Sequence, residues 1–410
     1  MIATLAVASS AWAQGPPPAA DATGARNVLT LEMALARASV HSPLIAAAQE
    51  RQRAATAAQA LVTPAPNPFV DVRGENLGPV SSGRLPRDVF ATISQPVELG
   101  GKRAARQSIA AAATALASAD VSTAERTISV EVVDTYFDAV RARDLRASLI
   151  EQQLGVAEIV TLLRQRVREG LSAEADLRKF ETEHTTLRIS IARTTVSLES
   201  ALIRLGTLVG EPLEAERVTT PLVPIPGRSA AVTATDVASR PDVTAAHRRL
   251  ARAESQLAGE RAKGVPDLTV TAGYKRTSGF DTGVAGVTIP LALFDRNRAA
   301  VAQAAGDVAA ARADLTAVIQ RAMADAAARL VAARQLSEQA ARSDQELVAP
   351  ATVVRAAARA AFIEGRGDVL QLVDAERVFG DAAREVLELR LDALHAAIHA
   401  RIALGETPLP

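Results

Sequence analysis

Two hydrophobic periods divide this chain between them. Over residues 68–77, 87–97, 266–276 and 281–292 apolar and polar side chains alternate in twos. Leu268, Val270, Ala272 and Tyr274 interleave with Thr269, Thr271 and Gly273, and Ala285, Val287, Ile289 and Leu291 with Gly286, Thr288 and Pro290. That is the period of a β-strand with a different solvent on each face. Elsewhere Leu145, Leu149, Val156, Val160, Leu163 and Val167 step by fours, threes and one seven, and Leu387, Leu391, Leu394, Ile398 and Ile402 step by fours and a three, a coiled-coil spacing. From about Gly101 to Arg168 and from about Asn297 to Glu364 the helical pattern carries only single breakers, among them Gly155 and Pro350 at matching places. At ~1.5 Å per residue each run predicts a helix on the order of 100 Å long. Alanine runs such as 110–113 let backbones approach closely, while the Arg, Glu and Asp faces stay wet. Such helices suit the wall of a hollow cylinder better than a globular core.

The elements occur twice. Pro43 and Pro241, Pro68 and Pro266, Pro96 and Pro290, and Gly170 and Gly365 sit in matching contexts at offsets of 198, 198, 194 and 195 residues. Each half reads helix, strand, turn, strand, very long helix, short turn, helix. The first repeat spans 29–206 and the second 236–404, with a short tail at 405–410. Residues 207–235 between them hold Pro212, Pro221, Pro224 and Pro226 and predict an irregular connector belt partway along the helical cylinder. The polar segment 78–87 joins the first pair of strands, and Ser278-Gly279 the second.

Four strands cannot close a barrel, and isolated hairpins leave exposed edges, so the economical solution is one barrel shared between subunits. Five aromatics, Phe69, Phe90, Tyr274, Phe280 and Phe294, fall in or beside the strands, which fits an interfacial girdle, although an aqueous β-layer packed on helices would also attract them. No stretch after the N-terminal segment approaches the ~18 consecutive apolar residues of a membrane-spanning helix. Residues 1–13 end in Ala11-Trp12-Ala13, the pattern of an export signal, although a basic n-region is missing before it; residues 14–28 follow as a flexible, proline-rich segment.

Composition agrees with long, closely packed helices: 48% hydrophobic residues but only 3% aromatic. Equal numbers of basic and acidic residues, 46 each, give no global pull toward nucleic acid. The absence of cysteine removes disulfides, thiolate metal sites and an acylated lipoprotein cysteine.

At Gln95–Gln107, QPVELGGKRAARQ, a strand gives way to a long helix. Gly100 and Gly101 permit the dihedrals of that switch, and Asp295 and Asn297 serve as helix-start residues at the second junction. Lys102, Arg103 and Arg106, matched by Arg296 and Arg298, have the wrong sign for a helix N-terminus, which fits an external anionic partner such as lipid phosphate or, alternatively, a solvated basic turn.

The duplicated order, the strand end QPVELGGKR and the tip sequences REGLSAEADL and IEGRGDVLQLVDAER resemble the outer membrane efflux protein family, the TolC-type trimeric exit ducts, over nearly the whole chain after about Val28. QPVELGGKRAAR is similar to the cobalt-zinc-cadmium resistance branch. The resemblance implies a mainly α fold with a small β part. Three chains would form a twelve-stranded barrel continuing into a periplasmic α-barrel, in outer membrane lipid. A periplasmic adaptor and a proton-driven inner-membrane pump of the resistance-nodulation-division type would complete the machine, with neither cofactor nor catalysis in the duct. Glu169, Gly170, Leu171 and Ser172, with Glu364, Gly365, Arg366, Gly367 and Asp368, match the tips that meet the adaptor. Asp374 occupies one position of a family aperture ring and Gln371 replaces the acidic residue at the other, which weakens a cation gate. Alternatives are a duct for drugs or type I protein secretion and, in another class, a periplasmic coiled-coil scaffold.

Other signals are weaker. His395 and His399 have a spacing that suits a metal, with Asp392 one turn before, but Ala396 stands where a zincin has Glu. They read as polar residues near a helix C-terminus, and no metal is assigned there. ELGGKR lacks the first glycine and the Ser or Thr of a phosphate loop. No carboxylate pair stands out as a catalytic acid and base.

Overall fold

The computed structural model describes residues 28–62, 64–75, 88–214, 218–220 and 231–409. The export-signal reading, the loop at 78–87 and parts of the connector lie outside these residues. The described elements are helices α1 (Leu31–His41) and α2 (Pro43–Ala60), strands β1 (Phe69–Glu75) and β2 (Asp88–Val97), and helices α3 (Lys102–Arg168), α4 (Glu174–Val209) and α5 (Pro241–Lys263). Strands β3 (Leu268–Thr277) and β4 (Phe280–Thr288) follow, then α6 (Arg298–Ser343), a π-turn at Asp344–Val348, α7 (Ala349–Ile363) and α8 (Val369–Ala403). No described helix is long and apolar enough to cross a membrane.

The two hairpins are not separate. β2 pairs antiparallel with β3, giving one sheet in the order β1-β2-β3-β4. Its register sorts the side chains. Val72, Ala91, Tyr274 and Gly283 share one row, Val70, Ile93, Ala272 and Ala285 the next, and Gln95, Val270 and Val287 a third, all on one face because directly paired residues point the same way. The opposite face carries Asp71, Thr92, Ser94, Thr269, Thr271, Lys275 and Thr282. The apolar face is uncovered, with Val70 at 71% and Val72 at 69% exposure. Among the described residues, β1 and β4 each pair on one side only.

Register also corrects the aromatic girdle. Tyr274 alone lies on the apolar face; Phe69 and Phe90 share rows with Ser94 and Lys275, and the Lys275 ammonium sits 4.9 Å from the Phe90 ring centre. Phe280, opposite Thr277, belongs to that polar face too, and Phe294 lies beyond β4. The strand expected over 281–292 ends at Thr288, just before Pro290, which has no N–H to give a ladder.

The helix α3 runs unbroken for 67 residues, roughly 100 Å. Gly155 does not interrupt it. A side chain there would collide with the Arg359 guanidinium, which reaches over from α7 to pair with buried Glu376 of α8. The second long run is interrupted: the π-turn precedes Pro350, which removes a backbone donor and forces the hydrogen-bond ladder to re-register.

Among the described residues, three apolar clusters string along the helices instead of one central core. The first surrounds Tyr136 and Phe137 on α3 with residues of α1, α4 and α8. Here the Tyr136 hydroxyl lies 2.9 Å from the Leu29 carbonyl oxygen and 2.7 Å from that of Thr219, tying both the N-terminal segment and the connector to α3. The second cluster supports the α3–α4 and α7–α8 turns, and the third joins α6, α8 and Val243 of α5. Beside the third, buried Arg240 donates to Asp242 (2.8 Å), Asp325 (3.0 Å) and the Ala403 carbonyl (2.9 Å).

Candidate functional site

The helix-turn-helix tips are built by the same backbone device. In the first, Gly170 takes φ +74° after the C-cap Glu169, and the Leu171 N–H donates to the Arg166 carbonyl at 2.8 Å. In the second, Gly365 takes φ +75° after the C-cap Glu364, and the Arg366 and Gly367 N–H groups both donate to the Ala361 carbonyl at 2.9 Å. A Cβ at Gly367 would lie 2.8 Å from the Phe362 nitrogen, so the turn has no room for one. Asp368 then caps α8, accepting from the Leu370 N–H at 3.3 Å.

The tips lie together. Leu163 of α3, Phe180 of α4, Phe362 of α7 and Leu372 of α8 share one buried cluster, while Leu171, Glu169, Glu364, Arg366 and Asp368 remain exposed and Ser172 half-buried. Arg366 pairs with Glu364. On α4, hydrogen bonding from Arg164 holds the Glu181 carboxyl below its ordinary range, so this ion pair persists into mild acid.

Gln371 and Asp374 stand one turn apart on the exposed side of α8, because Leu372, Val373, Ala375 and Glu376 occupy the buried side. On the same helix Arg377 reaches to Glu183 of α4.

At the strand-to-helix junction Gly100 and Gly101 have φ +69° and +76°, and Asn297 starts α6 at φ +60°. Asp295 accepts from the Asn297 N–H at 2.8 Å, and the Asn297 amide donates to Glu260 of α5. Two of the basic residues are neutralised within the chain: Lys102 donates to Asp267 at 2.7 Å and Arg106 pairs with Glu98. Glu98 lies within the junction motif itself, whereas Asp267 precedes β3 in the other repeat, where no local spacing points to it. Arg103, Asp295 and Arg296 are exposed.

The histidine pair on α8 also finds a different acid. Asp392 pairs with Arg141. It is Asp134 of α3 that lies 2.8 Å from His395 Nε2 and 2.7 Å from His399 Nε2. Burial, with the neighbouring His395, pushes the His399 imidazole below its ordinary range against the pull of Asp134.

The profile of the outer membrane efflux protein family matches residues 34–211 and 236–406. The nickel and cobalt resistance protein CnrC of Cupriavidus metallidurans is 32% identical over 73% of this chain and 71% of its own length. The cobalt-zinc-cadmium resistance protein CzcC of the same organism is 30% identical over 66% of this chain; the match spans 64% of CzcC, a little under two thirds of its length. Among solved structures, the outer membrane protein VceC of Vibrio cholerae superposes with a TM-score of 0.75 at 20% identity, covering 92% of this chain and 96% of that one, which establishes the shared fold.

Proposed function

This chain belongs to the outer membrane efflux protein family, and from that membership we propose that it is the exit duct of a tripartite pump for divalent heavy-metal ions. As an efflux channel of the outer membrane it provides a path and performs no catalysis. The observation that carries the reading is the sheet: one face apolar, the other polar, with β1 and β4 each paired on one side only among the described residues. In lipid such edges must be satisfied, and closure with two further copies into a twelve-stranded wall satisfies them while turning the apolar face outward. On α4 the exposed residues Ile189, Val196 and Ile203 recur every seven positions, a stripe suited to another copy's helices.

The tips around Gly170 and Gly365 meet a periplasmic adaptor, which couples the duct to a proton-driven inner-membrane pump. Asp374 lines the periplasmic aperture, and Gln371 leaves it with a single acidic position. The cargo follows from the relatives, since cobalt appears in the names of both CzcC and CnrC. A deletion strain tests it. Increased sensitivity to cobalt first, then zinc, cadmium and nickel, restored by the gene, is expected. Loss of drug tolerance with unchanged metal tolerance would redirect the assignment to organic cargo.

A further inference from the structure

Asp134, midway along α3, and His395 and His399, in the last turns of α8, form a cluster that the duct reading does not use. His395 and His399 sit one turn apart on α8, their rings edge-on at 87° with centres 4.4 Å apart. Phe137, one turn beyond Asp134 on α3, packs 4.9 Å from the His395 ring and limits its rotation. Three polar atoms converge: Asp134 Oδ1 to His395 Nε2 at 2.8 Å, Asp134 Oδ1 to His399 Nε2 at 2.7 Å, and the two Nε2 atoms at 3.0 Å.

Hydrogen bonding alone cannot satisfy that triangle. Three contacts need three protons, whereas each Nε2 carries at most one and the ionised carboxylate none. Protonating a ring does not help, because the added proton goes to Nδ1 or completes an Nε2–H already counted. One short contact is therefore left without a proton of its own. A cation at the centre satisfies all three lone pairs together.

We infer that Asp134, His395 and His399 bind one divalent transition-metal ion of the zinc, cobalt or nickel class per chain, with water completing the coordination. Two imidazoles and a carboxylate suit these borderline ions better than calcium, magnesium or copper(I). Tetrahedral zinc bonds of ~2.0–2.1 Å set donors roughly 3.3 Å apart, so the triangle opens by about half an ångström on binding. Asp134 is half-exposed, leaving a route for the ion, while His399 is buried. Nearby charges are already engaged: Asp138 pairs with Arg204, and Asp392 with Arg141. The site stands apart from the tips and the aperture, and its occupancy does not depend on what the duct exports.

The test uses the full-length protein in detergent, titrated with zinc chloride by calorimetry and with cobalt chloride by visible absorption. One ion per chain is expected, with the intense ligand-field bands of four-coordinate cobalt. Asp134→Asn and His395→Gln should each weaken zinc binding by at least tenfold, whereas Asp392→Asn should leave it unchanged. Both substituted side chains are partly exposed, and a thermal melt checks that the fold survives. Absence of cobalt bands in the wild-type protein, or wild-type affinity in folded Asp134→Asn, would overturn the site without touching the efflux assignment.

Discussion

Arg166, in the last turn of α3, donates through Nη2 to the carbonyl oxygen of Ile363 at the end of α7, 3.0 Å away, with its guanidinium 4.5 Å from the centre of the Phe362 ring. One side chain thus joins two tips separated by almost half the sequence. Arg166→Ala leaves a helix-terminal carbonyl without its donor and removes a cation–π contact, a loss of about 1–2 kcal/mol. Faster hydrogen exchange over 360–370 is expected, with the assembly otherwise intact. Arg166→Lys should recover only part of the protection, since an ammonium lacks the planar fork.

Reversing the exposed charges of the second tip, Arg366→Glu with Asp368→Arg, should weaken metal export without reducing assembly. Because Asp368 also caps α8, Asp368→Asn serves as the control that keeps a capping side chain. Normal export by the double variant would remove these tips from the docking surface.

Ile93 lies mid-strand on the apolar face and Thr269 on the polar one. Ile93→Arg should therefore cost about 2–4 kcal/mol in a membrane and reduce heat-modifiable assembly in the outer membrane fraction. Thr269→Lys should be tolerated. Equal effects would mean that the two faces do not meet different solvents.

A carboxylate at position 371 would restore a second acidic row one turn from Asp374. In planar bilayers Gln371→Asp should raise cation selectivity and Asp374→Asn lower it. Unchanged selectivity in both would place the constriction elsewhere.

Burial alone would raise the Asp242 carboxyl, but the hydrogen bonds and charge of Arg240 outweigh it and hold it below the ordinary range. The unfolded chain therefore takes up this proton at higher pH than the folded chain. The stabilisation is present in full above the unfolded value, ~3.9, and is lost as pH falls through the folded one. Melting temperature should fall more steeply in that acid window for the wild type than for Asp242→Asn. Arg240→Met removes the partner of Asp242, while Asp325 keeps Arg329 at 3.4 Å; with both carboxylates partly in water the cost should be about 1–3 kcal/mol at neutral pH.

The tips were legible because a C-cap glycine is a local device: Gly170 and Gly365 follow long helical runs and adopt the positive φ that their positions require. The strands were legible for a similar reason, although β4 stops short of the alternation that continues to Leu291. Pattern marks where a strand can run, and pairing decides where it does. The aromatic girdle failed on the same point, because Phe69 and Phe90 were placed by proximity to strands and not by register.

The sequence by itself determined the alternation of periods, the duplication, the glycine turns and membership of the efflux family, all properties of spacings between near neighbours or of order along the chain. Tertiary structure alone decided that β2 joins β3 across the repeats. It also decided that Asp267 neutralises Lys102, and that Asp134, not Asp392, faces the histidine pair. A helix or strand face follows from residues two to four apart, but which distant carboxylate arrives there depends on how whole helices pack and in what register, and no local period encodes that.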